Sequence, residues 1–377
     1  MNTKATGMLQ RRFMIPPFSV LDTKLGYWQD RRREWLSLGI QSEVGRGENL
    51  LKMSKQVRQG YDKEKIKRAM GFYKPGAGGT VIPRYANTFN TQKVTGGWTG
   101  TSIFDPVLCE IVYKWFLPPN GKVLDPFAGG SVRGIVATTL GFGYTGIDLR
   151  QEQVDSNNQQ AKTLGLSPQW ITGDSTNVCK LIPKDKFDLV FSCPPYYDLE
   201  TYSDMPQDLS NAQSYEGFLD MYSDIIRESL KKLNDNSFAV FVVANIRNQA
   251  NGFYRDLVGD TVRIFENHGA HFYNDIILVN SLGSLPLRVT NQFSKYRKVG
   301  KTHQNVLVFF KGDDDDVITE RFGIINAPRG SSSLEDGLDD EEEEKSYGGV
   351  QEDGSYEGSD KEDEIDDGLE QDDVIDW

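Results

Sequence analysis

The sequence predicts an α/β protein built on a doubly wound, mostly parallel sheet. Three observations carry this. Short apolar runs alternate with helical patterns between positions 122 and 243. The first three runs each end on or beside an aspartate: Asp125, Asp148 and Asp174. A glycine pair, Gly129-Gly130, follows the first of them and opens a helical stretch. Strands separated by helices at such intervals form βαβ units, and those units build a parallel sheet.

In chain order, residues 1–101 read as an irregular basic extension. Within it residues 27–35 are predicted as a helix, because Trp28 and Trp35 lie seven apart and share a face. Arg31, Arg32 and Arg33 are then expected to point outward and grip phosphates. A Lys-rich helix is expected over 50–69, and the Gly/Thr/Asn-rich stretch 76–100 reads as a long loop. Residues 103–116 form an amphipathic helix with Asp105 as N-cap and Pro106 at its first position. Strands follow at 122–125, 143–148, 170–174 and 187–190, with helices over 132–140 and 151–162. Beyond these come a helix at 215–233, a buried strand at 237–243 and a helix at 254–268. The β-rich stretches 272–279 and 305–310 are expected at the sheet edge. Between them Lys295, Arg297 and Lys298 form a basic knot expected in a loop. From 313 onward the composition turns to Asp, Glu, Gly and Ser, which predicts a disordered acidic tail over 313–377.

The formal charge of -13 hides two opposite parts. Residues 313–377 hold 26 acidic residues against four basic ones, a net of -22, which leaves +9 on residues 1–312. Residues 1–100 alone hold 18 Lys and Arg against 7 Asp and Glu. Such a region is the electrostatic footprint of a polyanion or, alternatively, a solvated lysine-rich surface. The tail reads as a solubilising segment, or as an internal polyanion competing for that region. Cys109, Cys179 and Cys193 form no CxxC pair, which points to a reducing compartment. His268, His271 and His303 lack the companions of a metal site, so no metal is expected. No apolar run approaches the roughly 18 residues of a membrane span, and no signal-peptide pattern opens the chain, so a soluble cytoplasmic protein is expected.

Acids gathered at the carboxyl edge of one sheet can divide a nucleotide-like ligand among them. Asp148 lies about 23 residues beyond Asp125, the spacing at which an acid accepts from ribose hydroxyls. Asp174 is placed to accept from an adenine amino group. Neither GxGxxG nor GxxxxGK[ST] occurs, so an adenosine-bearing cofactor without a pyrophosphate fits best. The fourth strand runs into Phe191-Ser192-Cys193-Pro194-Pro195-Tyr196-Tyr197-Asp198-Leu199. Two prolines stop a ladder, and the flanking rings make a wall for a flat polar ring. An ordinary proline turn with aromatics packed beneath it would use the same residues.

Two of these stretches resemble a known family. Val123-Leu124-Asp125-Pro126-Phe127-Ala128-Gly129-Gly130-Ser131 looks like the D-P-F-x-G-S-G cofactor loop of S-adenosylmethionine-dependent DNA amino methyltransferases of the N-4/N-6 type. Ser192–Leu199, with Tyr202-Ser203 after it, resembles their [DNS]-P-P-[YF] loop, in particular the T-S-P-P-Y form. Residues 104–116 lie where that family places the segment flanking the methionine end of the cofactor, and residues 301–311 are similar to its closing strand. The resemblance spans 102–312 and is closest to methylases of bacteriophages and prophages.

The resemblance implies a Rossmann-like methyltransferase domain in the cytoplasm of a bacterial or phage-infected cell, in the setting of DNA methylation and restriction-modification. It implies S-adenosylmethionine held by Phe104, Asp125, Pro126, Phe127, Gly129, Asp148 and Asp174, and a catalytic segment of Ser192, Cys193, Pro194, Pro195 and Tyr196. The expected reaction is methyl transfer to cytosine N-4 or adenine N-6 of a base flipped out of duplex DNA, with the T-S-P-P-Y likeness favouring cytosine. Arg31, Arg32, Arg33, Lys295, Arg297 and Lys298 are the expected DNA contacts. RNA amino methyltransferases share the frame, and a DNA-binding protein that keeps the fold without turnover is the reading from another class. In the family the first side chain of the motif and a proline carbonyl accept the amine hydrogens while the aromatic stacks on the base. These roles fall on Cys193, the Pro194 carbonyl and Tyr196. Cys193 stands where the family has Asp, Asn or Ser, and a thiol is a weak acceptor. Ser192 or Asp198 takes over, Cys193 suffices with the carbonyl, or activity is reduced.

Overall fold

The computed structural model of the protein describes residues 13–41, 104–199, 202–248, 250–280, 285–325 and 327–328. The helix expected at 50–69, the loop at 76–100 and the tail beyond 328 lie outside these residues. The chain opens with β1 (Val20–Asp22) and α1 (Gly26–Ser37), and resumes with α2 (Pro106–Phe116). There follow β2 (Lys122–Asp125), α3 (Val132–Thr139), β3 (Gly143–Asp148), α4 (Gln151–Leu164), β4 (Gln169–Thr172), α5 (Val178–Leu181) and β5 (Phe187–Ser192). Next come α6 (Tyr215–Lys232), β6 (Leu233–Val243), the short strands β7 (Ile246–Arg247) and β8 (Tyr254–Arg255), and α7 (Leu257–Asn267). β9 (His271–Val279), α8 (Pro286–Tyr296), β10 (His303–Lys311) and α9 (Ile318–Phe322) complete the described elements.

Eight strands form one sheet in the order β1-β9-β10-β6-β5-β2-β3-β4. Only β10 runs against the others, paired antiparallel to both β6 and β9. The chain steps outward from β2 to β3 and β4, then crosses to β5 on the other side of β2. That reversal opens a crevice at the carboxyl ends of β2 and β5. Alternation along β6 explains the two layers of core. Val240 and Val242 pack with α2 and α3 on one face, whereas Phe241 and Val243 pack with α6 and α7 on the other. Asp105 caps α2 by accepting from the Val107 and Leu108 amides, with Pro106 at the first position as the sequence predicts.

Several expectations need correction. Residues 305–310 are not at an edge: β10 is internal, and the edge strand is β1, which pairs with β9 from the region read as an extension. Residues 13–41 are part of the main core, where Phe13, Leu21, Trp28 and Trp35 pack with α2. The helix expected at 254–268 starts only at Leu257, because Tyr254 and Arg255 pair with Arg247 and Ile246. The basic knot is no loop: Lys295 lies on α8 and Arg297 caps it in the left-handed conformation. Order also continues past 312, where Phe322 of α9 packs edge-on against Phe238 at 5.2 Å and Arg321 pairs with Asp188 at 2.6 Å.

Arg31 does not point outward. α1 has no side-chain N-cap and mostly polar residues, so it must be held by what it buries. Trp28 and Trp35 are wholly buried, each worth on the order of 1.5–3 kcal/mol. Between them Arg31 turns inward and grips the buried Glu110 of α2 through Nε at 2.8 Å and Nη2 at 2.7 Å. The Trp35 indole N–H donates to the same carboxylate at 2.7 Å, and Lys114 approaches it at 2.8 Å. Burial works against the Glu110 charge, yet the Arg31 hydrogen bonds and the Lys114 ammonium hold its carboxyl below the ordinary range.

Replacing Glu110 with Ala takes from the buried Arg31 guanidinium the carboxylate that receives two of its hydrogen bonds, leaving Glu34 at 2.6 Å as a partial substitute, and urea denaturation is expected to show a loss of up to about 3–5 kcal/mol. Because the folded value is depressed, the charge contributes fully above the unfolded glutamate value of about 4.3 and its contribution is lost as pH falls through the folded value. Glu110→Gln is therefore expected to lose less stability than wild type on acidification through that window.

Candidate active site

A cavity of about 460 Å³ opens at the crevice between β2 and β5. Phe104, Pro126, Phe127, Gly129, Asp148 and Asp174 line it from the glycine-turn side, and Cys193, Pro194, Pro195 and Tyr196 line it from the proline loop. The two stretches singled out in the sequence thus face one space. Asp125 and Ser192 do not line it. They lie fully buried behind the wall, where the Ser192 hydroxyl donates to Asp125 Oδ1 at 2.5 Å and accepts from the Phe127 amide at 3.2 Å.

Asp125 is the hub of that hidden layer. Its Oδ2 accepts from Arg133 Nε at 2.6 Å and from the Tyr144 hydroxyl at 2.7 Å, and its Oδ1 accepts from the Phe127 amide at 3.2 Å. Arg133 Nη2 donates in turn to the carbonyls of Phe127 and Ala128 at 2.7 and 3.0 Å. Burial opposes the guanidinium charge, but the Asp125 carboxylate more than offsets it and holds Arg133 above its ordinary value. The guanidinium stacks on the Phe104 ring at 4.5 Å and reaches the cavity wall. Arg133 was not singled out in the sequence, because one basic residue inside an apolar helical run carries no spacing signal.

The glycine turn is pinned to the end of β3. Gly129 adopts φ 50, a conformation that favours glycine, and its amide donates to Asp148 Oδ2 at 3.0 Å. Asp148 Oδ1 accepts from the Arg150 amide at 2.9 Å. Burial pushes the Asp148 carboxyl up, so donors reaching it from the cavity favour its ionised form. Asp174 accepts from the Thr176 amide at 2.9 Å and caps the short 3-10 turn after β4 while lining the cavity.

In the proline loop Tyr197 takes φ 48, which is costly for an aromatic residue. It is fixed there by edge-on packing against Tyr215 at 5.6 Å and tilted packing against Phe218 at 5.5 Å, with the Arg255 guanidinium 4.6 Å from its ring. The turn buries Tyr197 and leaves Tyr196 in the cavity wall. The Tyr196 hydroxyl accepts from Gln304 Nε2 at 2.7 Å, and Gln304 Oε1 accepts from Asn280 Nδ2 at 3.0 Å. Both amides line the cavity from the ends of β9 and β10. Cys193 Sγ lies 3.7 Å from the Tyr196 hydroxyl. Asp198 is engaged by Arg255 at 3.0 Å, and no donor bonds to the Pro194 carbonyl among the described residues. Of the open alternatives for the amine acceptor, Ser192 and Asp198 are committed elsewhere.

Among the arginines of α1, Arg32 lines the cavity mouth, with Nε 4.0 Å from Asp105, and the exposed Arg33 pairs with Asp30. Lys295 and Arg297 are exposed at the end of α8, and Lys298 is half-buried there.

No protein-family model and no curated protein matches the chain. Among solved structures it is similar to TrmN from Thermus thermophilus, at 17% identity and TM-score 0.37, over 55% of this chain and 48% of that one. It thus spans about half the length of that protein. It is also similar to a methyltransferase from Pyrococcus furiosus, at 16% identity and TM-score 0.38, over 61% and 98%. An S-adenosylmethionine-dependent methyltransferase from Clostridium acetobutylicum ATCC 824 gives 13% identity and TM-score 0.35, over 55% and 90%. Nothing about the substrate follows from likeness at this level.

Asp125→Ala is expected to cost about 3–5 kcal/mol, since it strands the buried Arg133 charge. Ser192→Ala removes one hydrogen-bonding group and is expected to cost about 1 kcal/mol. Chemical denaturation of the two variants checks this ordering.

Proposed function

We propose that the protein is an S-adenosylmethionine-dependent DNA methyltransferase acting on an exocyclic base amine, cytosine N-4 or adenine N-6. One observation carries the reading: a single cavity is walled by the acid-and-glycine turns on one side and the Pro194-Pro195-Tyr196 loop on the other. The donor set fits the cofactor. Asp148 and Asp174 offer acceptors suited to ribose hydroxyls and an adenine amine, Gly129 lets the backbone approach, and Arg133 beside Phe104 brings positive charge suited to a carboxylate. The volume lies within the roughly 300–1,000 Å³ of ligand pockets. When bound, the cofactor supplies a methyl group on a sulfonium.

The remaining work falls to the protein. A base amine is a poor nucleophile because its lone pair is delocalised into the ring, so the site must accept its hydrogens and hold nitrogen where it can attack. The Pro194 carbonyl and Cys193 Sγ are the acceptors in the wall, with the carbonyl the stronger. Tyr196 supplies a ring for the base to stack on, held through its hydroxyl by Gln304. Holding the two reacting atoms in line supplies much of the acceleration.

Purified protein is expected to transfer labelled methyl groups to unmethylated duplex DNA, and modified-base sequencing of DNA from expressing cells should show N-4-methylcytosine or N-6-methyladenine at defined sites. Tyr196→Ala should lose about 1–3 kcal/mol of stacking, roughly five- to 160-fold in kcat/KM. Transfer to tRNA in place of DNA would overturn the DNA assignment. DNA binding with no methyl product would overturn the enzyme.

A further inference from the structure

Two elements outside the cavity remain unexplained by the reaction. Residues 290–297 of α8 and its cap are all exposed, including Phe293 at 48% and Tyr296 at 63%. A helix normally earns its place by burying a face. Beside it stands the hairpin formed by β7 and β8, only two residues per strand, which carries Phe253 at 73% exposure just before β8 and Tyr254 at 45% on it. These are the aromatic side chains a soluble surface should hide.

The two elements meet each other and are joined to segments that line the cavity. The Lys298 ammonium fills the space a side chain at Gly252 would occupy, and Gly252 has φ 75, so hairpin turn and helix end are in contact. Below the turn, Arg255 of β8 holds Asp198 of the proline loop at 3.0 Å. In the chain α8 lies between Asn280 and Gln304, which both line the cavity. The patch is also cationic. Arg247 stacks on Tyr254 at 4.0 Å, Lys298 lies over Tyr296 at 5.1 Å, and Arg297 lies 5.7 Å from the Phe293 ring. Lys295 is exposed on the same helix.

Resting on the DNA reading above, we propose that the hairpin and α8 form the surface that holds duplex DNA around the extruded base, with Phe253 inserting into the base stack. Exposed rings interleaved with cations at the rim of a base-sized pocket match what such DNA presents: phosphates on the outside and a gap in the stack where a base has left. Phe253 is held on a turn closed by the Asn248 amide to the Phe253 carbonyl at 2.9 Å, the Gly252 amide to the Asn248 carbonyl at 2.7 Å, and Arg247 Nη1 to the Gly252 carbonyl at 3.0 Å. Phe253 is thereby tied to Asn248 at the base of the turn.

The experiment uses the full chain and a duplex carrying the methylated site mapped for wild type. Wild-type transfer to the matched duplex comes first, so that failure there belongs to the DNA reading alone. Phe253→Ala is expected to lower kcat/KM on the matched duplex about tenfold or more. On the same duplex mispaired at the target base, which leaves the stack more readily, the variant should recover to within about twofold of wild type. Phe253→Trp should retain most activity on both. Replacing Lys295 and Lys298 together by Ala should reduce the dependence of log affinity on log salt by about 1.8. Equal loss of Phe253→Ala on matched and mispaired duplexes, or no loss on either, overturns the insertion. An unchanged salt slope overturns the phosphate contact. A dimer in sedimentation that Phe293→Asp and Tyr296→Asp abolish, with DNA affinity intact, would give the face to a second copy of the chain and overturn the proposal.

Discussion

The Asp125 carboxylate is the interaction on which the rest of the site depends. It accepts from the Phe127 amide, Arg133, Tyr144 and Ser192, and so ties the end of β2 to α3, β3 and β5. The glycine turn and the proline loop arise from strands that are neighbours in the sheet but far apart in sequence. With the carboxylate buried and every donor drawn toward it, the two loops have one relative position. A buried charge is tolerable only when paired and hydrogen-bonded, and Arg133 supplies both while presenting itself to the cavity. The motif aspartate thus acts beneath the wall, and of the three strand-end acids Asp148 and Asp174 line the cavity.

The parallel half of the sheet was readable because its strands are short, continuous apolar runs ending in turn signals, as buried strands between helices must be. For the same reason the two loops after β2 and β5 could be placed together: parallel strands put all their carboxyl ends on one edge. What stayed hidden depends on distant partners. Arg31 looks like part of an exposed basic cluster until Glu110, 79 positions away, draws it inward. β1 has only three residues and exists as a strand because β9 offers an open edge. Gln304 and Asn280 are ordinary amides at strand ends, and only antiparallel pairing brings them to Tyr196. The strands of the hairpin are too short to show any alternation.

These hidden elements share a location. Helix α1 brings Arg32 into the cavity wall, while α8 lies in the chain between Asn280 and Gln304 of the same wall and the hairpin's Arg255 holds Asp198 of the proline loop. The sheet thus supplies a rigid floor while its additions shape the entrance, in keeping with the division between scaffold and loops common to α/β proteins. The positive charge of the region before the acidic tail is divided accordingly. Arg31 and Arg133 are structural cations neutralised by buried carboxylates, whereas Lys295 and Arg297 remain at the surface. Counting basic residues along the sequence cannot separate the two kinds, because pairing is a property of the fold.

In the proposed reaction the cavity between the two loops holds an adenosyl cofactor, with Asp148 its anchor. Calorimetric titration of S-adenosylmethionine into wild type and Asp148→Ala addresses it most directly. Saturable one-to-one binding by wild type is expected, weakened by about ten- to hundredfold in the variant through loss of a charged acceptor. Absence of binding by wild type, or equal affinity in a folded variant, would contradict it.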